Sequence, residues 1–309
     1  MDLTHAVAEK ILLRYDASLR LKRVGPLEGS ATKRAFELTL EEDRRLVLKL
    51  FDPAQAWQLQ QEVLVYELLA RTPVPVPSVL FADDSRELID SDYVLLNKVG
   101  GAIVASLGPL PPEDAHAIYR LIGETLRHMH TVTFDQFGFF DRRGPVDPIE
   151  RNRDFVSIWI GRGLERFGAA GGSPRLKAAI EQRVRNAVGA LDGCEGPVLC
   201  HGDLHESNIL VSEAPEGWKV EGVVDVGGAI AADPLFDLAR TDYWSARGDP
   251  TKRAGLLEGY GGLRKDWEEA VAVYSLHHAL ELWHWFHRAG ESDEMMRTII
   301  SDLERLAND

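Results

Sequence analysis

Cysteine is almost missing from this chain: Cys194 and Cys200 are the two thiols among 309 residues. Two thiols cannot build a disulfide framework, and the expectation is a reducing compartment, the cytoplasm. No run of about 18 apolar residues occurs, which excludes a membrane-spanning helix. Met1 to Glu9 lacks the apolar core of a signal segment. Also missing are internal repeats and the motifs G-x-G-x-x-G, H-E-x-x-H and Cys-x-x-Cys. Basic residues are outnumbered, 35 against 49 acidic, for a net charge of −14. That balance speaks against nucleic acid and anionic membranes as partners and is compatible with a cationic small molecule. With 45% hydrophobic and 27% charged residues, the composition is that of a globular protein. The length suffices for two lobes sharing a cleft.

Against these absences stands one dense polar stretch, His201-Gly202-Asp203-Leu204-His205-Glu206-Ser207-Asn208, followed by Asp225-Val226-Gly227. It sets out a carboxylate, an amide five residues on, and a second carboxylate seventeen residues later. Phosphoryl transfer from ATP needs this set: an acid that orients the acceptor hydroxyl and takes its proton, and an Asn with an Asp to hold Mg²⁺. The spacing Asp-x₄-Asn then Asp-x-Gly is that of a kinase catalytic loop and metal loop. Pro197–Cys200 and Ile209–Val211 read as strands flanking the first element, and Trp218–Val224 as a strand running into Asp225, closed by Gly227-Gly228. Ser212 to Gly217 reads as a hairpin turn. Asp203, Asn208 and Asp225 should then converge at one end of a small antiparallel unit. The competing reading is a zinc hydrolase, since His201-x-Asp203-x-His205 offers three ligands, but it leaves Asn208 and Asp225 without roles.

The first half reads as a helix from about Leu3 to Leu19, strands over Leu21–Leu27, Lys33–Leu40 and Arg44–Phe51, a helix over Ala54–Arg71, and strands over Ser78–Ala82 and Tyr93–Val99. Alternation places Lys49 on the face of Val47 and Phe51, where an ammonium needs an anionic partner. The Ala54–Arg71 helix has an apolar stripe through Leu59, Val63, Tyr66 and Ala70, and Glu62 falls inside it. Lys49 and Glu62 are therefore expected to pair, fixing the lysine against ATP phosphates; Glu67 sits at the stripe's edge and fits less well. Gly29-Ser30-Ala31-Thr32 is a candidate phosphate turn, with Ser30 at its centre, although an ordinary hairpin turn fits the local sequence equally. The backbone near Asn97 and Val99, where a strand meets Gly100-Gly101, is placed to meet an adenine edge.

The remainder reads as helical: Pro112 to about Thr131, Asp154–Phe167, Pro174–Leu191, Pro234 to about Ala246, and a last long helix from Asp266 to Ala289. Asp233-Pro234 reads as a helix cap. Asp154, Asp242 and Glu281 are candidates for binding the acceptor, Glu281 because it shares a stripe with Trp267, Tyr274 and Trp285. A buried arginine partner for Glu281 is an equal alternative.

The segments LVLKLF, QQEVLVYELL, YVLLNKVGG, HGDLHESNIL and DVGGAIAADPLFDLAR together resemble the aminoglycoside phosphotransferase family, relatives of choline kinases with a protein-kinase-like fold. The resemblance covers roughly residues 21 to 240. It implies an α+β, two-lobed fold: an N-terminal nucleotide-binding lobe over 1–98, with an antiparallel sheet and one key helix, and a larger, mainly helical C-terminal lobe over 99–309. It implies Asp203 as catalytic base, Asn208 and Asp225 as Mg²⁺ ligands, Lys49 with Glu62 at the phosphates of ATP or GTP, and Asp237 as a brace of the catalytic loop. The implied reaction is phosphorylation of a small-molecule hydroxyl, first of all on an aminoglycoside antibiotic, as in antibiotic resistance. Choline, homoserine, a sugar or a macrolide are alternatives, as is a non-catalytic nucleotide binder. The chain departs from the family at Val226, where a Trp often follows the metal-binding Asp. Monomer and dimer are both compatible with the sequence.

Overall fold

Period-two alternation sets the first sheet. The computed structural model describes residues 3–27, 34–141, 144–290 and 292–308, and among them five antiparallel strands pair in the order β1-β2-β3-β5-β4. These are β1 (Leu21–Pro26), β2 (Ala35–Leu40), β3 (Arg45–Phe51), β4 (Val79–Asp83) and β5 (Asp92–Asn97). Phe36, Leu38 and Leu40 of β2, Leu46, Leu48 and Leu50 of β3, and Tyr93 and Leu95 of β5 point to one face. Helix α1 (His5–Tyr15), capped by the Thr4 side chain, covers that face with Ala8, Ile11 and Leu12 at i, i+3 and i+4. The other face carries Glu37, Val47 and Lys49, with Lys49 opposite Val94 in the register.

Helix α2 (Trp57–Leu69) follows β3 after a short turn opened by Asp52, whose side chain accepts from Ala54 N at 3.0 Å. Its buried face differs from the expected stripe. Leu59, Glu62, Tyr66 and Leu69 are buried, together with Gln61 and Val65, whereas Val63 is half-buried and Ala70 exposed. The stripe is rotated because Gln61 reaches inward to donate to the Ala229 carbonyl at 2.7 Å. Glu62 stays inside either way. Beyond β5, Gly101 takes φ +86°, with Val211 O 2.8 Å from where a Cβ would stand, and so admits a short strand β6 (Ala102–Ile103) that pairs with Leu210 and Val211. The hairpin itself runs Ile209–Ala214 and Gly217–Val223, turning at Pro215-Glu216. Val223 N donates to Pro75 O at 2.8 Å, and Gly222 makes room for Val99. These parts form one compact unit, drawn from the described residues of Met1–Asp114, Phe140–Gly144 and Glu206–Ala229. The unit is thus drawn from three separate stretches of the chain.

The second unit takes Ala115–Phe139, Pro145–His205 and Ile230–Asp309 and is mainly helical. Helix α3 (Pro112–Met129) buries the expected face of Ala115, Ile118, Ile122, Leu126 and Met129. Helices α4 (Asn152–Ala169), α5 (Pro174–Asn186) and α6 (Val188–Asp192) follow. The expected single helix over 174–191 breaks because Ala187 leaves helical dihedrals (φ −89°, ψ 8°). Strands Phe137–Asp141, Gly144–Ile149, Val198–Cys200 and Ile230–Ala232 join in a four-stranded sheet. Of these only Val198–Cys200 was expected: Phe137-Gly138-Phe139-Phe140 and Ile230-Ala231-Ala232 are short apolar runs, which periodicity alone does not assign.

Helix α7 (Leu235–Thr241) stops short of Ala246, since Asp242–Ala246 forms a π-turn that ends in left-handed Arg247 at φ 43°. Helix α8 (Pro250–Tyr260) starts at Asp249, whose carboxylate accepts from Thr251 N and Lys252 N with Pro250 at the first position. Helix α9 (Trp267–Ala289) is buried on most sides and is the centre of the unit. Helix α10 (Asp293–Asn308), not expected from the sequence, follows α9 and packs Ile299, Leu303 and Leu306 inward. None of the described helices is long and apolar enough to cross a membrane.

Candidate active site

In the first unit, α2 turns a polar edge inward beneath β3. Glu62, 1% exposed, accepts from Lys49 Nζ at 2.6 Å, and the same ammonium reaches Asp225 Oδ1 at 2.9 Å. Burial alone would discharge Lys49, but the Glu62 and Asp225 carboxylates outweigh it and raise its pKa, so the ammonium is held charged. Burial pushes Glu62 the other way, upward, and Lys49 opposes that push. Glu62 Oε1 has no hydrogen-bond partner among the described residues. Tyr66, one turn on, has its hydroxyl hydrogen-bonded by the Asp225 backbone. Gln61 holds the far end of the same segment at Ala229. Three residues of one helix therefore fix Asp225–Ala229 and the lysine.

Asp225 itself sits in the left-handed region at φ 61°. Asp and Asn tolerate that region better than other non-glycine residues, yet such a conformation persists only where its surroundings impose it, as they do at functional sites. Its side chain is 54% exposed and open to a ligand. Asn208 belongs to the same hairpin end, because Ile209 pairs with Val223 and Val224 N donates to Asn208 O at 3.0 Å. An amide oxygen and a carboxylate are hard oxygen donors of the kind Mg²⁺ takes. The donor set thus fits the divalent ion.

In the second unit, α7 clamps the loop His201–Leu204. Asp237, fully buried, accepts from His201 N at 2.6 Å and Gly202 N at 2.8 Å. Arg240 donates to Asp203 Oδ1 through Nε at 3.0 Å and Nη2 at 2.5 Å. Thr241 donates its hydroxyl proton to Leu204 O at 3.0 Å. Burial works against ionisation of Asp203, but His205, at 3.6 Å from Oδ2, and the Arg240 guanidinium hold its pKa well below the usual carboxylate range. The start of α7 is anchored by Asp233, which accepts from Leu235 N, Arg264 and the Tyr274 hydroxyl.

The other expected site residues fall as follows. Ser30, with its turn Gly29–Thr32, lies outside the described residues. Asn97 uses its side chain locally, accepting from Ser78 N, and Val99 packs against Gly222. Asp154 pairs with Arg151 at 2.7 Å, Asp242 with Arg253 at 3.1 Å, and Glu281 with both terminal nitrogens of Arg166. Each carboxylate proposed for the acceptor therefore already holds a guanidinium. His201, Asp203 and His205 do not gather as zinc ligands: His201 Nδ1 accepts from Asp203 N at 3.3 Å. Among the described residues the metal-like grouping is instead His130, Cys200 and Asp237, where Asp237 is already committed to the loop. Residues missed from sequence are Gln61, Arg240 and Arg264. Arg240 carried a signal, an arginine three residues after Asp237 in an otherwise apolar helix.

A lysine–glutamate pair joined to an aspartate at a hairpin end, and a second aspartate on a clamped loop, are the parts of a phosphotransferase. The chain belongs to the phosphotransferase enzyme family, whose model matches residues 23–272. The aminoglycoside 3'-phosphotransferase of Streptomyces fradiae is 29% identical over 239 residues, covering 72% of this chain and 79% of that one. Acyl-CoA dehydrogenase family member 10 of Mus musculus is 26% identical over 205 residues, 64% of this chain but 18% of the relative. The chain thus matches less than a fifth of that relative's length. Among solved structures, aminoglycoside phosphotransferase APH(4)-Ia aligns over 99% of both chains with a TM-score of 0.72 at 18% identity. A thermostable mutant of it, in a ternary complex with ADP and hygromycin B, aligns over 97% of both with 0.70 at 18%. These likenesses show the α+β, protein-kinase-like fold.

Proposed function

We propose that this chain is an ATP- and Mg²⁺-dependent kinase that moves the γ-phosphoryl group to a hydroxyl of a small molecule. The observation that carries the reading is the ion pair of half-buried Lys49 with buried Glu62, extended to Asp225 at 2.9 Å. Nothing in packing alone calls for a buried carboxylate, a half-buried lysine and a strained aspartate in one line. In the reading, Lys49 binds phosphate oxygens, Glu62 aims it, and Asn97 and Val99 offer backbone groups to the purine. Asn208 and Asp225 would hold the divalent ion, which when bound neutralises charge on the phosphates. Asp203 is the base: its low pKa makes it ionised at neutral pH, ready to orient the acceptor hydroxyl and take its proton. GTP is the alternative donor.

For the acceptor, an aminoglycoside comes first, because the Streptomyces relative is named for acting on one, and resistance to such drugs would follow in the cytoplasm. Another metabolite alcohol is the second reading, favoured by one observation: Asp154, Asp242 and Glu281 are each paired with arginine, so a polycation would have to displace guanidinium groups. The test is acceptor-stimulated ADP release over aminoglycosides, choline-like amines, sugars and macrolides. Asp203→Ala should lower kcat by about 10²–10⁴-fold with the fold retained. Equal turnover in that variant would remove Asp203 from the reaction.

A further inference from the structure

Asp203 has its side chain held by a charge, the Arg240 guanidinium. Asp237, Arg240 and Thr241 stand at i, i+3 and i+4 on one face of α7, and they engage consecutive residues of the loop from His201 to Leu204. Asp237 and Thr241 act on backbone groups. Arg240 alone acts on the carboxylate, and it places two N–H groups on the same oxygen, Oδ1. The arginine is 8% exposed and lies over the Trp244 ring at 5.8 Å. A guanidinium so far removed from water is expensive unless its contacts fix it in place.

The geometry matters because the last torsion of an aspartate is broad and two-fold. An unclamped carboxylate exchanges its oxygens and tilts, so the oxygen meeting the acceptor is not fixed. Two donors on one oxygen remove that freedom. Resting on the kinase reading above, we infer that Arg240 is a positioning residue: it ties Asp203 by Oδ1 and so presents the Oδ2 edge, bordered by His205, to the acceptor hydroxyl. As the acceptor oxygen bonds to the γ-phosphorus, the bond from that phosphorus to the β–γ bridging oxygen breaks, ADP leaves with the electron pair, and the hydroxyl proton passes to Oδ2.

The test uses the full chain with Arg240→Gln, Arg240→Lys and Arg240→Ala, reading kcat, both KM values and the thermal midpoint. Arg240→Gln should lower kcat by about 10- to 100-fold, the scale of a misplaced reacting group, with KM for MgATP within about twofold. Arg240→Lys should recover part of the loss, and guanidinium at millimolar concentration should restore kcat of Arg240→Ala saturably. In an Asp203→Asn background, Arg240→Gln should cost nothing further in single-turnover rate, because the two residues act as a unit. An Arg240→Gln enzyme as fast as wild type, or an equal loss in both backgrounds, overturns the inference. If Arg240→Gln unfolds, failure of both lysine and guanidinium to rescue overturns it equally. A wild-type chain that binds MgATP yet releases no ADP with any acceptor overturns the kinase reading along with it. Turnover in wild type with an unimpaired Arg240→Gln overturns this inference alone.

Discussion

At the scale of single residues, Asp225 carries two demands at once. In the proposed reaction it supplies a carboxylate to the divalent ion, and in the fold it sits at φ 61°. Glycine would relieve the backbone and lose the ligand; asparagine would keep the backbone and lose the charge; alanine would fail both, with a strain cost on the order of 1 kcal/mol. MgATP at about 100 times its Kd should stabilise the wild-type chain by about 2.7 kcal/mol. Asp225→Ala should lose that thermal shift and the calorimetric heat of MgATP binding together. An undiminished MgATP affinity in the variant would contradict the metal assignment. The Lys49–Glu62 pair was legible in the sequence because strand alternation and helical period say which way a charge faces, and the meeting of Asn208 and Asp225 at one hairpin end followed from their spacing between strands. Arg240 and Gln61 were not, because their partners lie 37 and 168 residues away, and one sequence records no pairing over such distances.

At the scale of elements, the tightest seam joins α3 and α8. A Cβ at Gly259 would stand 1.8 Å from Arg120 O, and one at Gly255 would stand 2.3 Å from His116 O. The obstacles are backbone atoms, so no side chain can swing aside. Gly259→Ala should therefore force the two helices apart and cost about 1–3 kcal/mol despite alanine's better helix propensity. Urea unfolding with an unchanged or raised midpoint would refute the close approach. Elements with a strong period, such as α3 and the strands around Lys49, were readable in advance. Helix α10 follows the same period through its inward Ile299, Leu303 and Leu306, yet is not among the expected helices. The breaks at Ala187 and in the Asp242–Ala246 π-turn were hidden because local dihedrals there answer to tertiary packing rather than to residue type.

At the scale of the whole molecule, stability should depend on pH through α9. Burial lowers His277 to about 4 and lowers His278 further below its ordinary value. The folded state keeps both neutral, while the unfolded chain binds protons near pH 6.5. Stability therefore rises with pH across that interval and is lost on acidification from about pH 6.5 towards 4, by up to about 1.4 kcal/mol per pH unit for each site. Asp203, with its depressed pKa, adds stability above about pH 4 and loses it only below, so it does not contribute to the slope in the histidine interval. Urea midpoints measured at about pH 7, 6 and 5 should fall in sequence, and less so in His277→Gln. A flat response in the wild-type chain would show that the rings are not buried neutral.

The interleaving of the two units governs how the chain can be made. The first unit lacks its hairpin, and with it Asp225, until Ala229 has been synthesised. At elongation speeds of about 5–20 residues per second, the five-stranded sheet over residues 21–97 is complete on the order of ten seconds before that hairpin is made. During that interval β3 and α2 present the inward Lys49 and Glu62 with Asp225 still to come. A chain truncated between residues 114 and 206 therefore leaves the first unit without its hairpin, and Lys49 without its second carboxylate.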